Sequence, residues 1–188
     1  MERTFPNTGD QAIEQARELS PVEAEVLALF DGLRDRLLGY VLRFHPLAVQ
    51  DCEEIVQEAF LALFHHLEQG RSRQNLTGWL FRVVHNLGLK RLQASRRDSY
   101  SVVALTSVVE EAVVDPGLNP EDALARDQMR RRLLAVVNAL PEQDQRCLAL
   151  RAEGLRYREI AEVLGMSLGA VAKSLEHSLE RITRVAQR

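Results

Sequence analysis

The chain has 188 residues, of which 46% are apolar and 27% charged, and a net charge of −3, a composition that fits one ordinary globular domain or two small ones. This balance gives no overall nucleic-acid signature, so any DNA-binding surface must come from local segregation of charge. No run approaches the roughly 18 apolar residues of a membrane span and no signal-peptide pattern opens the chain. Cys52 and Cys147 lack CxxC or Cys/His spacing, so reduced thiols in a cytoplasmic protein are expected, with no zinc site.

Residues 1–19 have weak periodicity and no cap, and read as an N-terminal extension. Ser20-Pro21-Val22-Glu23 then forms a capping box with proline at the first helical position. The helix that follows carries Val26, Leu29, Phe30, Leu33, Leu37, Leu38, Val41 and Leu42 on helical spacing. It stops near His45-Pro46, because proline disfavours helical geometry in its predecessor. A second helix is expected over about 49–69, with Ile55, Val56, Phe60, Leu63, Phe64 and Leu67 on one stripe and Gly70 closing it. Asp51, Glu53, Glu54 and Glu58 load its first turns with more acid than a helix dipole needs. Residues 70–77 read as a polar loop, and 78–97 as a third helix carrying Trp79, Leu80, Val83, Val84, Leu87 and Leu92.

Charge divides sharply across this first half. Residues 20–68 hold nine acids against three arginines, whereas 69–97 hold seven bases and no acid. With Trp79 and Phe81 interleaved, the basic segment has what DNA contact requires: cations for phosphate and aromatic rings for stacking.

Residues 98–122 contain six acids and no base, lack sustained helical spacing and include Asp115-Pro116-Gly117. They read as an inter-domain linker, centred on 99–119. Asn119-Pro120-Glu121 caps a fourth helix that runs to about Ala139. Leu140-Pro141-Glu142 breaks and restarts it, and the new helix reaches Glu153 with Gly154 behind.

Residues 155–182 read as a helix-turn-helix. Ile160, Ala161, Val163 and Leu164 lie on helical spacing, and Gly165 follows as a cap able to take positive φ. Ser167 is a good N-cap for a second helix with Leu168, Val171, Leu175, Leu179 and Ile182 on its apolar side. The small Ala161 lets the two helices approach closely. The fold class expected is therefore all-α: two small helical domains, 20–98 and 120–188, joined by an acidic linker.

Little here points to an enzyme. His65-His66 are adjacent, so on a helix they project about 100° apart and do not form an i,i+4 ligand pair. No P-loop, GxSxG or HExxH is present. No catalytic residue, metal or cofactor is expected.

DCEEIVQEAFLALFHHL (51–67) followed by LTGWLFRVVHNLGLKRLQASRR (76–97) resembles the second conserved region of bacterial RNA polymerase sigma factors. LPEQDQRCLALRAEGLRYREIAEVLGMSLGAV (140–171) resembles their fourth region. Two such regions joined only by a short linker resemble the extracytoplasmic-function group of the sigma-70 family. The resemblance implies a transcription initiation factor that binds core RNA polymerase and directs promoter recognition and melting.

Carried over by position, the resemblance implies that Asp51, Glu54, Gln57, Glu58 and Phe64 dock on the β′ clamp helices, their acidity suiting a basic surface. The resemblance also implies the β flap as a second polymerase contact. Arg71, Arg73, Gln74, Asn75, Trp79, Arg82, Asn86 and Lys90 would hold the opened minus-ten element, with packing as the competing role for Trp79 and His85. Arg156, Arg158, Ser167, Lys173, His177 and Arg181 would serve DNA binding by the helix-turn-helix. The chain departs from the family there: Ala170, Ala172 and Ser174 stand where Thr, Lys and Arg are usual, and Glu176 and Glu180 repel phosphate. Alanine cannot make the bidentate base contacts worth about 1–3 kcal/mol each, so weakened minus-thirty-five reading is expected. An anti-sigma factor or another DNA-binding partner is implied. The alternative is a sigma-like adaptor that binds polymerase or an anti-sigma factor while another protein selects the site.

Overall fold

The first helix, α1 (Pro21–Phe44), starts where its cap stands. Ser20 Oγ accepts from the Glu23 backbone N–H at 3.2 Å, and Glu23 Oε2 accepts from the Ser20 backbone N–H at 2.7 Å. It ends before Pro46, with His45 in extended geometry. Then come α2 (Val49–Glu68), α3 (Leu76–Arg97), α4 (Pro120–Asn138), α5 (Glu142–Ala152), α6 (Tyr157–Leu164) and α7 (Leu168–Ala186). This computed structural model describes residues 19–97 and 120–187, and every regular element among them is an α-helix. The lead-in over residues 1–18 and the linker over 98–119 lie outside the described residues. None of the described helices is long and apolar enough to cross a membrane.

Helices α1, α2 and α3 close around Leu37, Val41, Ile55, Ala59, Leu63, Leu80, Phe81 and Val84, all buried. Helices α5, α6 and α7 close around Cys147, Leu150, Ile160, Val163, Val171 and Leu175, with α4 packed along α7. The helix-turn-helix forms as expected. Gly165 caps α6 at φ 65°, the Met166 N–H returns to the Ala161 carbonyl at 3.0 Å, and Ser167 Oγ accepts from the Ala170 N–H at 3.2 Å.

Three sequence expectations need correction. Helix α3 begins at Leu76, two residues before the expected start, because Asn75 Oδ1 accepts from the Gly78 N–H at 3.1 Å and so caps it. Leu179 is not on the buried side of α7: it is 51% exposed, as Leu168 is at 52%. The inward row instead runs through Val171, Ser174, Leu175 and Ser178. The two serines are tolerated there because Ser174 Oγ donates to Asp144 Oδ1 at 2.6 Å and Ser178 Oγ to the Ser174 carbonyl at 2.8 Å. Ser174 is consequently buried and is not presented to DNA.

The two helical units are in contact. Helix α3 packs against α6, and the buried apolar residues form one continuous cluster from α1–α3 into α5–α7. Within the first unit, His45 lies under Gly88, where an added Cβ would come within 2.4 Å of the imidazole Cδ2. Gly88→Ala should therefore destabilise the protein by about 1–3 kcal/mol, as overpacking does. A urea titration checks this, and an unchanged midpoint would show that the ring has room to move.

Candidate nucleic-acid interface

The acidic start of α2 is not a bare patch. Asp51 and Glu54, one turn apart, both bind Arg91 of α3, at 2.8 and 3.2 Å from its Nη1. The Glu54 hydrogen bond and the two negative charges hold the Arg91 pKa above its ordinary value. Gln57 and Glu58 stand exposed on the same helix, and Phe64 is half-buried with its ring edge-on to His65 at 5.8 Å. Sequence spacing brought out the acids but not Arg91, their partner from another helix.

The loop between α2 and α3 is held by His66, whose Nε2–H donates to the Ser72 carbonyl at 2.9 Å while its ring lies 4.9 Å from that of Trp79. Trp79 is half-buried, packed between this ring and the core. The sequence reading weighed His66 only with His65 as a metal pair, and its role in holding the loop has no local signal because Ser72 and Trp79 are brought to it by the fold. Arg71, Gln74, Asn86 and Lys90 are exposed. Arg73 Nε is paired with Glu25 Oε2 at 3.0 Å, and Asn75 is engaged in capping α3. Arg82, Asn86 and Lys90 recur every four residues, so they share one face of α3. The first of them meets Glu162 of α6 at 3.4 Å. Phe81 departs from expectation. It is fully buried and packs edge-on against Tyr40 at 5.6 Å, so it cannot stack on a base.

In the helix-turn-helix, Lys173, His177 and Arg181 likewise recur every four residues on α7, with Lys173 and His177 exposed and Arg181 half-buried. Exposed Glu176 and Glu180 form the neighbouring row. His177 Nδ1 lies 3.9 Å from Asp144 Oδ2. Arg158 is exposed. Ser167 serves as the α7 cap, and the Arg156 backbone N–H donates to Glu159 Oε2 at 2.7 Å at the start of α6.

A buried polar cluster lies where the two units meet. Tyr40 Oη and His85 Nδ1 share a hydrogen bond at 3.0 Å, and the His45 and His85 rings are 5.4 Å apart. Burial, reinforced by the Arg146 charge, pushes the His45 imidazole down to about 4. Burial first, then the charges of His45 and Arg146, does the same for His85, also to about 4. Burial raises the Tyr40 phenol well above its usual range and the Cys52 thiol to about 11, the latter with help from Asp51. The Cys147 thiol is also raised by burial. Beside this cluster lies a cleft of about 380 Å³ lined by His85, Glu142, Gln143, Arg146, Leu164 and Met166. No group of three or more His, Cys, Asp or Glu that could hold a metal occurs among the described residues.

Comparison with known proteins matches residues 29–98 to sigma-70 region 2 and residues 130–182 to sigma-70 region 4. The chain is 29% identical over 157 residues to the RNA polymerase sigma-H factor of Pseudomonas aeruginosa, covering 81% of each chain. It is 28% identical to the ECF RNA polymerase sigma-E factor of Escherichia coli K12, again over 81% of each. With the ECF RNA polymerase sigma factor SigW of Bacillus subtilis it shares 25% identity, covering 83% of this chain and 86% of that one. Among solved structures, the sigma factor RpoE of Bartonella quintana, in complex with the anti-sigma factor NepR, has a similar fold. Its TM-score is 0.56 at 16% identity, over 87% of this chain and 95% of that one. CnrH, in complex with the cytosolic domain of CnrY, matches at a TM-score of 0.50 and 19% identity, over 87% and 88%. Both region models occur in family order and the relatives are sigma factors over most of their length, so the adaptor alternative is not favoured. The chain belongs to the extracytoplasmic-function group of the sigma-70 family, and is a polymerase-binding, promoter-recognising transcription initiation factor, not an enzyme.

Proposed function

We propose that the first helical unit, residues 20–98, carries both polymerase docking and minus-ten capture, and that the second unit reads the minus-thirty-five element weakly. The observation that carries this reading is the pairing of faces on one bundle. Acids Asp51, Glu54 and Glu58 lie on α2, and the row Arg82, Asn86 and Lys90 lies on α3 beside the loop bases Arg71 and Arg73. Asp51, Glu54, Gln57, Glu58 and Phe64 meet the β′ clamp helices, where a basic partner competes with Arg91 for the carboxylates. The loop and α3 hold unstacked bases, with cations on phosphate and Trp79 at the edge of the core. Residues 120–188 contact the β flap and DNA through Arg156, Arg158, Lys173, His177 and Arg181, with Ser167 fixing the helix that carries the last three. Chemistry on nucleotides belongs to the polymerase, and the chain works in the cytoplasm, where its polymerase is. RpoE is solved in complex with the anti-sigma factor NepR, and CnrH in complex with the cytosolic domain of CnrY. By analogy an anti-sigma protein is the regulatory partner here.

Core binding tests the assignment. In a pull-down with core polymerase, Glu54→Arg with Glu58→Arg should weaken binding at least about tenfold, since charge complementarity is inverted at the contact. Undiminished binding with normal folding would move the docking face elsewhere. In vitro transcription on a random promoter library should enrich the minus-ten position far more strongly than minus-thirty-five. Strong enrichment upstream would overturn the weak-reader assignment.

A further inference from the structure

We infer that His66 is a positioning residue for the minus-ten loop: by holding the Ser72 carbonyl, with its ring braced on Trp79, it fixes the loop in one shape and so sets base preference through it. This rests on the assignment of the loop and α3 to minus-ten capture made above.

Residues 71–75 are all exposed, the setting in which a loop ordinarily moves. Here the chain is tied down along its length. Gly70, at φ 66°, closes α2 with its N–H on the Leu67 carbonyl at 2.9 Å, and the Arg71 N–H returns to the His66 carbonyl at 3.2 Å. Ser72 Oγ accepts from the Gln74 N–H at 3.2 Å. Arg73 is tied to Glu25 of α1 at 3.0 Å, and Asn75, at φ 54°, caps α3. His66 supplies the tie from α2 to the middle of the loop. Its Nε2–H donates at 2.9 Å to the Ser72 carbonyl, an oxygen that can only accept. The same imidazole lies 4.9 Å from the Trp79 ring in the first turn of α3, so one side chain joins α2, the loop and α3. His65 is the contrast. Its side chain is 67% exposed and meets Glu68 and Phe64 on its own helix.

A fixed loop matters more for choosing bases than for holding DNA. Cations on phosphate, such as Arg71 and Lys90, hold any sequence, whereas discrimination among bases needs polar groups kept at set positions. A loop free to shift adapts to several bases alike and loses conformational entropy when it binds. Freeing Ser72 from His66 therefore erodes preference more than affinity.

The test uses the full chain with core polymerase, in transcription from a promoter library randomised over the minus-ten positions. His66→Phe keeps a ring against Trp79 but has no donor. His66→Gln gives up the ring but carries an Nε2–H donor the same number of bonds from Cα. His65→Phe is the control. His66→Phe should lower the enrichment of preferred over disfavoured minus-ten bases by about three- to tenfold, the worth of one net hydrogen bond. Core binding and the urea midpoint should stay at wild-type values. His66→Gln should restore most of the preference, and His65→Phe should match the wild type.

Three results would overturn the role of His66. One is a wild-type preference profile in His66→Phe, and another is a His66→Gln chain that loses as much as His66→Phe. The third is a His66→Phe chain whose core binding or stability falls along with its preference, which makes the residue merely structural. Arg71→Ala with Gln74→Ala tests the underlying assignment separately. If that variant keeps the wild-type profile, the loop does not read the minus-ten element and the function proposed for it fails. If it loses the profile while His66→Phe keeps it, only the role of His66 fails.

Discussion

Phe81→Ala should cost the protein about 3–5 kcal/mol, the usual loss for emptying a fully buried aromatic site. The ring has no exposed surface and sits edge-on to Tyr40 at an interplanar angle of 86°, so its removal loses both apolar burial and an aromatic pair. The measurement is a denaturant midpoint at fixed slope, with Trp79→Ala as a companion. Trp79 is only half-buried, so its loss should cost less stability while weakening binding to single-stranded DNA. If Phe81→Ala folds as well as the wild type but loses DNA binding, the ring works at the nucleic-acid surface after all and its packing role is wrong.

Acidification should unfold the protein over a window set by two histidines. In the folded chain His45 and His85 titrate at about 4, against about 6.5 when exposed. Both are therefore neutral in the native state, and below about pH 6.5 the unfolded chain binds protons that the folded chain refuses. Stability is complete above that value, falls as pH drops from 6.5 towards 4, and flattens once the folded imidazoles also protonate. The depressed pKa values correspond to roughly 3 kcal/mol for each ring, less in total than twice that because the two charges interact. Arg146 and Glu142 both act on His45, with opposite signs. Unfolding midpoints between pH 7.5 and 4.5 check the slope, and the double change His45→Gln with His85→Gln should flatten it. A wild-type curve that stays flat down to pH 5 would show that the rings are solvated.

Much of the fold is legible in the sequence because its signals are local. Ser20 with Glu23, Gly165 and Ser167 each act within three or four residues, and the helix ends fall beside them. What the sequence hides depends on partners far away in the chain. Whether Trp79 or Phe81 faces outward is decided by Tyr40 and His66 on other helices, not by the composition of the basic run. Leu179 has the right spacing for the core, but the buried row of α7 runs through Val171, Ser174, Leu175 and Ser178, with Ser174 bonded to Asp144, and leaves Leu179 outside. The acids of α2 are visible in sequence. That two of them share Arg91, 37 and 40 residues away, is not. The contact between α3 and α6 has no local signature at all.

The ion pairs on the basic segment also bear on how binding should respond to salt. Each phosphate contact normally releases counterions from the DNA, steepening the fall of affinity with salt by about 0.7–0.9 of a logarithmic unit per contact. Of the seven bases in residues 69–97, Arg73, Arg82 and Arg91 already hold carboxylates. A phosphate that reaches one of these must evict Glu25, Glu162 or the Asp51 and Glu54 pair, and a freed carboxylate takes up a cation from solution just as the DNA sheds one. Those three contacts contribute little net ion release. The salt dependence of DNA binding then follows exposed cations such as Arg71 and Lys90, and is shallower than the basic charge of the segment suggests.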